Sequence, residues 1–169
     1  VLKLKQIWKS IKKKLPEAEL HIYGAYAGQK VLELNNEKES FLVKGRADSV
    51  EELFRRYKVL LAPIPFGAGL KGKLWESTKF GLPNVTSSIG AEAMHGGLPW
   101  NGFVTDSDAE FVQRAVDLYQ EENLWDQAQE NGYEIVDSVL RKDLFAKSFI
   151  NKVGEISENL DHHRTENHL

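Results

Sequence analysis

KVLLAPIPFGAGLKGKLWESTKFGLPNVTSSIG, residues 58–90, decides the fold, because it predicts a strand, a glycine loop, a helix and a second strand in that order. The apolar run Val59 to Ile64 predicts a strand that is buried on both faces, as in a parallel sheet. Lys71 to Phe80 suits a helix. Gly81 and the proline two residues later end this helix, since glycine adopts the left-handed cap conformation and proline cannot continue the hydrogen-bond ladder. Asn84 to Ser88 then begins the next strand.

Two lysines fall where the predicted helix begins. Lys71 and Lys73 lie beside free N–H groups and the positive end of the helix dipole, where cations are unfavourable. A phosphate held by the N–H groups of residues 68–72, with both ammonium groups beside it, would make this arrangement attractive. Gly67 and Gly69 would let the backbone turn and approach such an anion. The alternative is that both lysines point into water, at a cost of roughly a few tenths of a kcal/mol.

The same loop fits most of the P-loop pattern G-x-x-x-x-G-K over residues 67–73. A P-loop continues with Ser or Thr, whose hydroxyl ligates magnesium, whereas the next residue here is Leu74. The nearest segment that resembles an apolar strand ending in an acidic metal ligand, Phe103 to Asp106, is short. The sequence therefore argues against a P-loop.

The segment PFGAGLKGKLWESTKFGLPNVTSSIGAEAM, residues 65–94, resembles the donor-binding motif of family-4 retaining glycosyltransferases of the GT-B fold. It contains, in the family's order, the glycine loop, a lysine-bearing helix start, a helix glutamate, a Gly-Leu-Pro stop and a second loop at residues 89–92. Outside this segment, from about Leu20 to Leu124, the chain is similar only in the order of its elements.

The resemblance implies that Glu76 binds the ribose hydroxyls of a nucleotide sugar, while the two lysines and the loop amides face its diphosphate. The implied donor-binding positions in this segment are Gly67, Ala68, Gly69, Leu70, Lys71, Lys73 and Glu76. Many family members carry a further glutamate that contacts the donor sugar, eight positions before the ribose-binding one, and that position here is Ala68. This departure resembles a GAG-x-K subgroup and leaves open how the sugar ring is held.

Three other residues are candidates for the same site or its rim. Gly45 and Arg46 follow a predicted strand, at the end where ligands of open α/β sheets bind. The resemblance places this loop against the nucleotide base, and an ordinary surface arginine is the alternative for Arg46. His95 lies in a glycine-rich segment without a nucleophile or acid at readable spacing, so we expect a loop histidine near the site rather than a catalytic base.

The rest of the chain continues the alternation of strands and helices. Predicted strands lie at 20–23, 41–43 and 103–105, predicted helices at 26–35, 49–57, 106–121, 124–139 and 144–156, and a predicted mobile loop at 89–101. The pattern predicts an α/β fold: a three-layer, Rossmann-like domain with a mostly parallel sheet and helices on both faces, equivalent to half of a GT-B fold. We expect this domain to span residues 1–158 and the polar tail 159–169 to be disordered.

The first fifteen residues predict an amphipathic basic helix. Apolar residues recur at helical spacing among six lysines, at Leu4, Ile7, Trp8, Ile11 and Leu15. Its basic face has two interpretations, a peripheral contact with an anionic membrane or the solvated side of a helix packed on the sheet, and the second is the usual meaning. The domain that this chain resembles would begin with a strand ahead of this helix, so we expect the chain to lack that strand and to be part of a longer protein.

Composition bounds the function classes. The 169 residues are 41% hydrophobic and 28% charged, which fits one globular domain. There is no cysteine, as is compatible with the cytoplasm, and no apolar run of membrane-spanning length. A net charge of −3 and a pI near 6.0 argue against nucleic-acid binding.

The resulting hypothesis is the donor-binding domain of a retaining, hexosyl-type glycosyltransferase. Its substrate would be a nucleotide sugar such as a UDP- or GDP-sugar, without a cofactor or metal, and the acceptor would lie on a missing N-terminal domain, so this chain alone would be inactive. No catalytic residue is assigned. The alternative is a non-catalytic nucleotide- or phosphate-binding regulatory module with a doubly wound fold, which would have no need of Glu76.

Overall fold

The computed structural model describes residues 1–139 and 141–160 of the chain. Its strands are β1 (Leu20–Tyr23), β2 (Phe41–Gly45), β3 (Leu60–Ala62), β4 (Asn84–Thr86) and β5 (Gly102–Val104). Its helices are α1 (Leu2–Lys14), α2 (Gln29–Leu32), α3 (Val50–Arg56), α4 (Gly72–Lys79), α5 (Ser88–Ala91), α6 (Asp108–Gln120), α7 (Glu122–Ser138) and α8 (Lys142–Glu158), with a 3₁₀ turn at Glu37–Glu39. Strands and helices alternate through most of this order, as predicted.

All pairings between these strands are parallel, but they form two separate sheets. Strand β1 pairs with β2, and β3, β4 and β5 pair in that order. The α/β fold with a parallel sheet is confirmed. What the sequence did not predict is the division, because β1 and β3 do not pair with each other.

Two apolar clusters lie on opposite faces of the strands. Residues of α1 and α6 form one cluster, against which Val59 and Leu61 pack. Leu74 of α4 and Ile135 of α7 belong to the other, against which Leu60 and Ile64 pack. Side chains alternate along β3 between the two clusters, as they must in a strand covered on both faces. The three-layer arrangement is therefore confirmed.

Helix α1 is packed, and its lysines contact the rest of the chain. The Trp8 indole is buried and donates to the Glu39 carbonyl at 2.6 Å. The Lys5 ammonium lies 2.6 Å from a Glu39 carboxylate oxygen and holds the pKa of that carboxyl below its usual value. Lys12 donates to the Ala18 carbonyl at 2.9 Å. Among helices of the described residues, none combines the length and apolar character of a membrane-crossing segment.

Two predicted elements differ from the structure. The helix predicted at 26–35 is a single turn, Gln29–Leu32, with no buried residue, because it lacks an apolar face that the core could bury. The prediction of a loop across 89–101 is wrong at its start, where Ser88–Ala91 is helical and the Ser87 hydroxyl caps the turn by accepting the Gly90 N–H at 3.2 Å. Residues 161–169 of the predicted tail lie outside the described residues.

Candidate functional site

The candidate site is built around helix α4, whose carboxyl end is fixed by a Schellman motif. Gly81 has a φ of 70°, and its N–H donates to the Thr78 carbonyl at 3.1 Å. The N–H of Leu82 donates to the Ser77 carbonyl at 2.8 Å, which completes the 6→1 and 5→2 pair of this cap. A Cβ on Gly81 would lie 2.2 Å from the Tyr133 hydroxyl, so close packing on α7 also requires glycine.

Buried polar side chains hold α4 and its neighbours in place. The Trp100 indole donates to the Asn84 Oδ1 at 2.9 Å, and the Asn84 amide donates to the Ser77 hydroxyl at 3.3 Å. The Asn101 amide donates to the Leu82 carbonyl at 3.0 Å. Because buried amides are costly to leave unpaired, these bonds restrict how α4 sits on the strands. The amino end of the helix is therefore held at the carboxyl edge of the sheet.

The loop ahead of α4 leaves its N–H groups free. Gly67 and Gly69 have φ values of 144° and 69°, which explains the requirement for glycine at these positions. Within the described residues, no hydrogen bond takes up an N–H group between residues 67 and 73. The loop is exposed from Gly67 through Leu70. Free amides on a left-handed turn beside a helix start form a concave donor site of the kind that binds anions.

Lys71 brings a buried positive charge to this donor site. It is the N-cap residue of α4, its side chain is only 8% exposed, and its ammonium makes no hydrogen bond. The nearest anion is a Glu92 carboxylate oxygen at 3.8 Å, which meets the distance of an ion pair but is too far for a hydrogen bond. We regard this contact as weak, because the Glu92 side chain is 65% exposed.

Lys73 and Glu76 lie on the first turns of α4. Lys73 is exposed, and Glu76 is half-buried. In the part of the chain that the structure describes, neither side chain has an ion-pair or hydrogen-bond partner, so the i, i+3 pair that their spacing permits is not formed. The carboxylate of Glu76 and the ammonium of Lys73 are both available to a ligand. The predicted cluster of Lys71, Lys73 and Glu76 therefore shares one helix start.

A second loop, after β4, closes one side of the site. The Ser87 hydroxyl donates to the Ile64 carbonyl at 2.6 Å and so joins this loop to the end of β3. A Cβ on Gly90 would lie 2.0 Å from the Thr86 hydroxyl, so glycine lets α5 pack on β4. The Ser88 N–H donates to Asp106 at 3.0 Å, and the Ser88 hydroxyl with this N–H holds the pKa of the Asp106 carboxyl below its usual value.

Glu92 is the residue of this second loop that sequence reasoning did not assign. It lies 21 positions after Lys71 in the chain, and no local spacing predicts their contact. The sequence motif did include this second loop, residues 89–92, but the motif gave no role to the Glu92 carboxylate. The fold brings it to the lysine because the parallel strands β3 and β4 end at the same edge.

Gly45 and Arg46 lie at the carboxyl end of β2, in the sheet formed by β1 and β2. Gly45 ends β2 with a φ of 76°, and its carbonyl accepts the Gly24 N–H at 2.7 Å. Arg46 is exposed. Among the described residues, no hydrogen bond or ion pair joins either of them to α4.

The remaining positions considered, His95 and Leu74, make contacts within the protein. The His95 ring contacts the Leu98 carbonyl through Nδ1 at 2.6 Å and lies edge-on to Trp100, as expected for a loop histidine. Leu74 is fully buried, so the position that carries a magnesium ligand in a P-loop belongs to the core here. The described residues hold no group of three or more His, Cys, Asp or Glu that would bind a metal.

A protein-family model, described as "Glycosyl transferases group 1", matches residues 2–121. The matched range contains α1 through α6 and every candidate site residue. Among curated proteins, none matches the chain.

Two solved glycosyltransferase structures have a similar fold. A mutant of S. aureus TarM, in complex with fondaparinux, α-GlcNAc-glycerol and UDP, aligns with a TM-score of 0.73 and 15% identity over 88% of this chain and 31% of that chain. The pneumococcal O-GlcNAc transferase GtfA, in complex with UDP and GlcNAc, aligns with a TM-score of 0.67 and 22% identity over 90% of this chain and 32% of that chain. At these identities the similarity shows the fold, which is that of a GT-B Rossmann-like domain. The chain spans about a third of the length of each.

Proposed function

We propose that this chain, which belongs to the group 1 glycosyl transferases, binds the nucleotide-sugar donor of a retaining glycosyltransferase at the start of α4. The parent reaction transfers a hexosyl group to an acceptor, and a second, N-terminal domain holds that acceptor. Residues 1–158 form the donor domain in this proposal. A cytoplasmic location is part of it, and the absence of cysteine is compatible with that location.

The buried Lys71 ammonium is the observation that carries the proposal. An ammonium that is removed from water without a hydrogen bond is costly, and a helix amino end is the wrong place for it on dipole grounds. A diphosphate would remove both costs, because its oxygens accept from the ammonium and from the free amides of the loop. The donor side chains then act by binding and orienting, and no step requires a metal ligand from this chain.

Each of the remaining candidate residues would contact a different part of the donor. Lys73, one residue into α4, would contact the diphosphate from the solvent side. Glu76 follows one turn later, and its unpartnered carboxylate would accept hydrogen bonds from the two ribose hydroxyls. Gly67, Ala68, Gly69 and Leu70 would contribute backbone groups. Gly45 and Arg46, at the end of β2, would lie toward the base.

A panel of ligands tests this assignment. The chain is titrated by calorimetry with UDP, GDP and ADP, with the UDP- and GDP-sugars, and with inorganic pyrophosphate. UDP is the first choice because both neighbouring structures contain it. Glu76→Gln should weaken the binding of a nucleoside diphosphate and leave the binding of pyrophosphate unchanged, because pyrophosphate has no ribose. Equal losses for both ligands would place Glu76 on the lysines instead.

A matched control separates the site from the general charge of the helix. Lys79 lies in the last turn of α4, is exposed, and has its ammonium 5.0 Å from the centre of the Phe80 ring. The Lys79→Gln protein should bind every ligand as the unmodified chain does, while the Lys73→Gln protein should bind every phosphate-containing ligand more weakly. The regulatory-module alternative predicts phosphate binding without a dependence on Glu76, so the same titrations distinguish the two functions.

A further inference from the structure

The loop after β1, residues 24–28, has the sequence Gly-Ala-Tyr-Ala-Gly, so that Tyr26 supplies its one large side chain. Tyr26 is 96% exposed, more than any other large apolar residue that the structure describes. A single exposed apolar side chain is ordinary by itself. What distinguishes Tyr26 is its place, because the loop follows the carboxyl end of a parallel strand, where ligands of open α/β sheets bind.

A backbone hydrogen bond ties this loop to the loop after β2. The Gly24 N–H donates to the Gly45 carbonyl at 2.7 Å. Tyr26 follows one end of this bond by two residues, and Arg46 follows the other end by one. Both are exposed, and within residues 1–139 and 141–160 neither side chain has a hydrogen-bond or ion-pair partner. The two side chains therefore stand on neighbouring loops of the carboxyl edge, and both are available to a ligand.

The carboxyl end of β1 also adjoins the start of α4. Tyr23, the last residue of β1, is paired with Gly45 on one side. Tyr23 and Lys73 line the same cavity of about 330 Å³, which residues 59–64 line as well. A ligand with its phosphates at the start of α4 and its base toward Arg46 would therefore pass the loop that contains Tyr26.

The chemistry that this loop can offer is limited to backbone groups and one flat aromatic ring. Its other side chains are those of glycine and alanine, which have no polar group. A Cβ added at Gly24 or Gly28 would have nothing within 4 Å, so other residues do not pack closely on the loop there. Aromatic rings bind nucleotides by stacking on the face of the base, and the guanidinium plane of arginine does the same. A tyrosine and an arginine on neighbouring loops are thus two planar groups that suit a nucleobase.

We propose that Tyr26 is the base-stacking residue of the donor site and that Arg46 contributes a second planar surface to the same base. The inference rests on the proposed function, since it takes the diphosphate to lie at the start of α4. It adds a residue outside the motif of residues 65–94 and states how the base is held. A stacked ring contacts the face of a base rather than its hydrogen-bonding edge, so Tyr26 contributes affinity for uracil, guanine and adenine alike.

Calorimetric titration of Tyr26 variants with UDP, GDP, ADP and inorganic pyrophosphate tests the proposal. Tyr26→Ala should weaken the binding of each nucleoside diphosphate by about 5- to 150-fold, the range for losing one base–aromatic stack, and leave the binding of pyrophosphate unchanged. Tyr26→Phe keeps the ring and should bind as the unmodified chain does. Tyr26→Leu keeps an apolar side chain without a ring and should lose affinity as Tyr26→Ala does. Because Tyr26 is 96% exposed, none of these variants should change Tm by much.

The outcomes separate this inference from the proposed function. UDP binding that depends on Glu76 but is unchanged by Tyr26→Ala would overturn the stacking assignment and leave the proposed function in place. Full affinity in the Tyr26→Leu protein would overturn it as well, because apolar contact and not the ring would then be responsible. Equal losses for UDP and pyrophosphate would also overturn it, since pyrophosphate has no base. Absence of nucleotide binding by the unmodified chain would refute the proposed function, and the stacking assignment with it.

Discussion

Replacing Lys71 by Met should stabilise the unliganded protein and weaken nucleotide binding at the same time. The side chain is 8% exposed and its ammonium has no hydrogen bond, so the folded state leaves this donor group unsatisfied. Such a group costs about 1–3 kcal/mol, or more if it is charged. Methionine keeps an unbranched side chain of similar length and removes the charge.

The contact with Glu92 reduces the expected gain. At 3.8 Å and with Glu92 65% exposed, this pair is worth less than about 1 kcal/mol. We therefore expect Lys71→Met to raise the free energy of unfolding by about 1–2 kcal/mol. For a chain of this size each kcal/mol raises Tm by about 2–4 °C. Loss of one charge-assisted hydrogen bond should weaken the binding of a nucleoside diphosphate by about 1.5–3 kcal/mol, or about 10- to 150-fold.

Thermal melting without ligand and calorimetry with UDP measure the two effects. Lys79→Met is the control, because Lys79 is exposed at the other end of the same helix, and it should change neither quantity by much. Glu92→Gln should lower Tm slightly and raise diphosphate affinity, since it removes an anion that competes for Lys71. A Lys71→Met protein with a lower Tm and unchanged affinity would refute the reasoning and make the lysine a structural residue.

Two further predictions use other parts of the structure. The nucleoside diphosphate should bind nearly as tightly as its sugar conjugate, because Ala68 has no carboxylate to hold the sugar. Side-by-side titrations measure the ratio of the two dissociation constants, and a strong preference for the conjugate would contradict this prediction. Gly102→Ala should cost more than about 2 kcal/mol, because a Cβ at this φ of 122° would lie 2.0 Å from the Asn84 carbonyl oxygen. Denaturant titrations measure this cost, with Gly154→Ala in helix α8 as the control. A Cβ at Gly154 would have nothing within 4 Å, so Gly154→Ala should raise the free energy of unfolding by about 0.5–1 kcal/mol. Equal effects at both glycines would show that close approach is not the cause.

The elements around the candidate site could be predicted because their signals are local. Helix α4 was predicted at Lys71 to Phe80 and is found at Gly72–Lys79. Its end depends on Gly81, and its start on the glycine loop, both of which lie within a few residues of the helix. Strand β4 was predicted from Asn84 for the same reason, since it follows the proline that ends the turn.

Contacts between distant segments could not be predicted in the same way. The burial of Lys71 depends on the loop after β4, and its neighbour Glu92 comes from that loop. Gly102 and Gly132 are each required by a close approach to an asparagine of another strand or loop, and neither position has a local signal. The division of the sheet at β1 and β3 is equally non-local, because an alternation of strands and helices does not say which strands are neighbours. The assignment of residues to the donor stays a prediction.

Gly45 and Arg46 belong to one sheet and α4 connects strands of the other, an arrangement that a doubly wound fold uses for a ligand the size of a nucleotide. Crossovers that leave the centre of the sheet in opposite directions put their helices on opposite faces, and a crevice opens between them at the carboxyl edge. Here the strands divide into two sheets between β1 and β3, and the loop after β2 belongs to one sheet while α4 connects strands of the other. Lys73, in the first turn of α4, lines a cavity of about 330 Å³ that β1 and residues 59–64 also line. A base on the β2 side and a diphosphate on the α4 side would therefore let residues of both sheets contact one ligand.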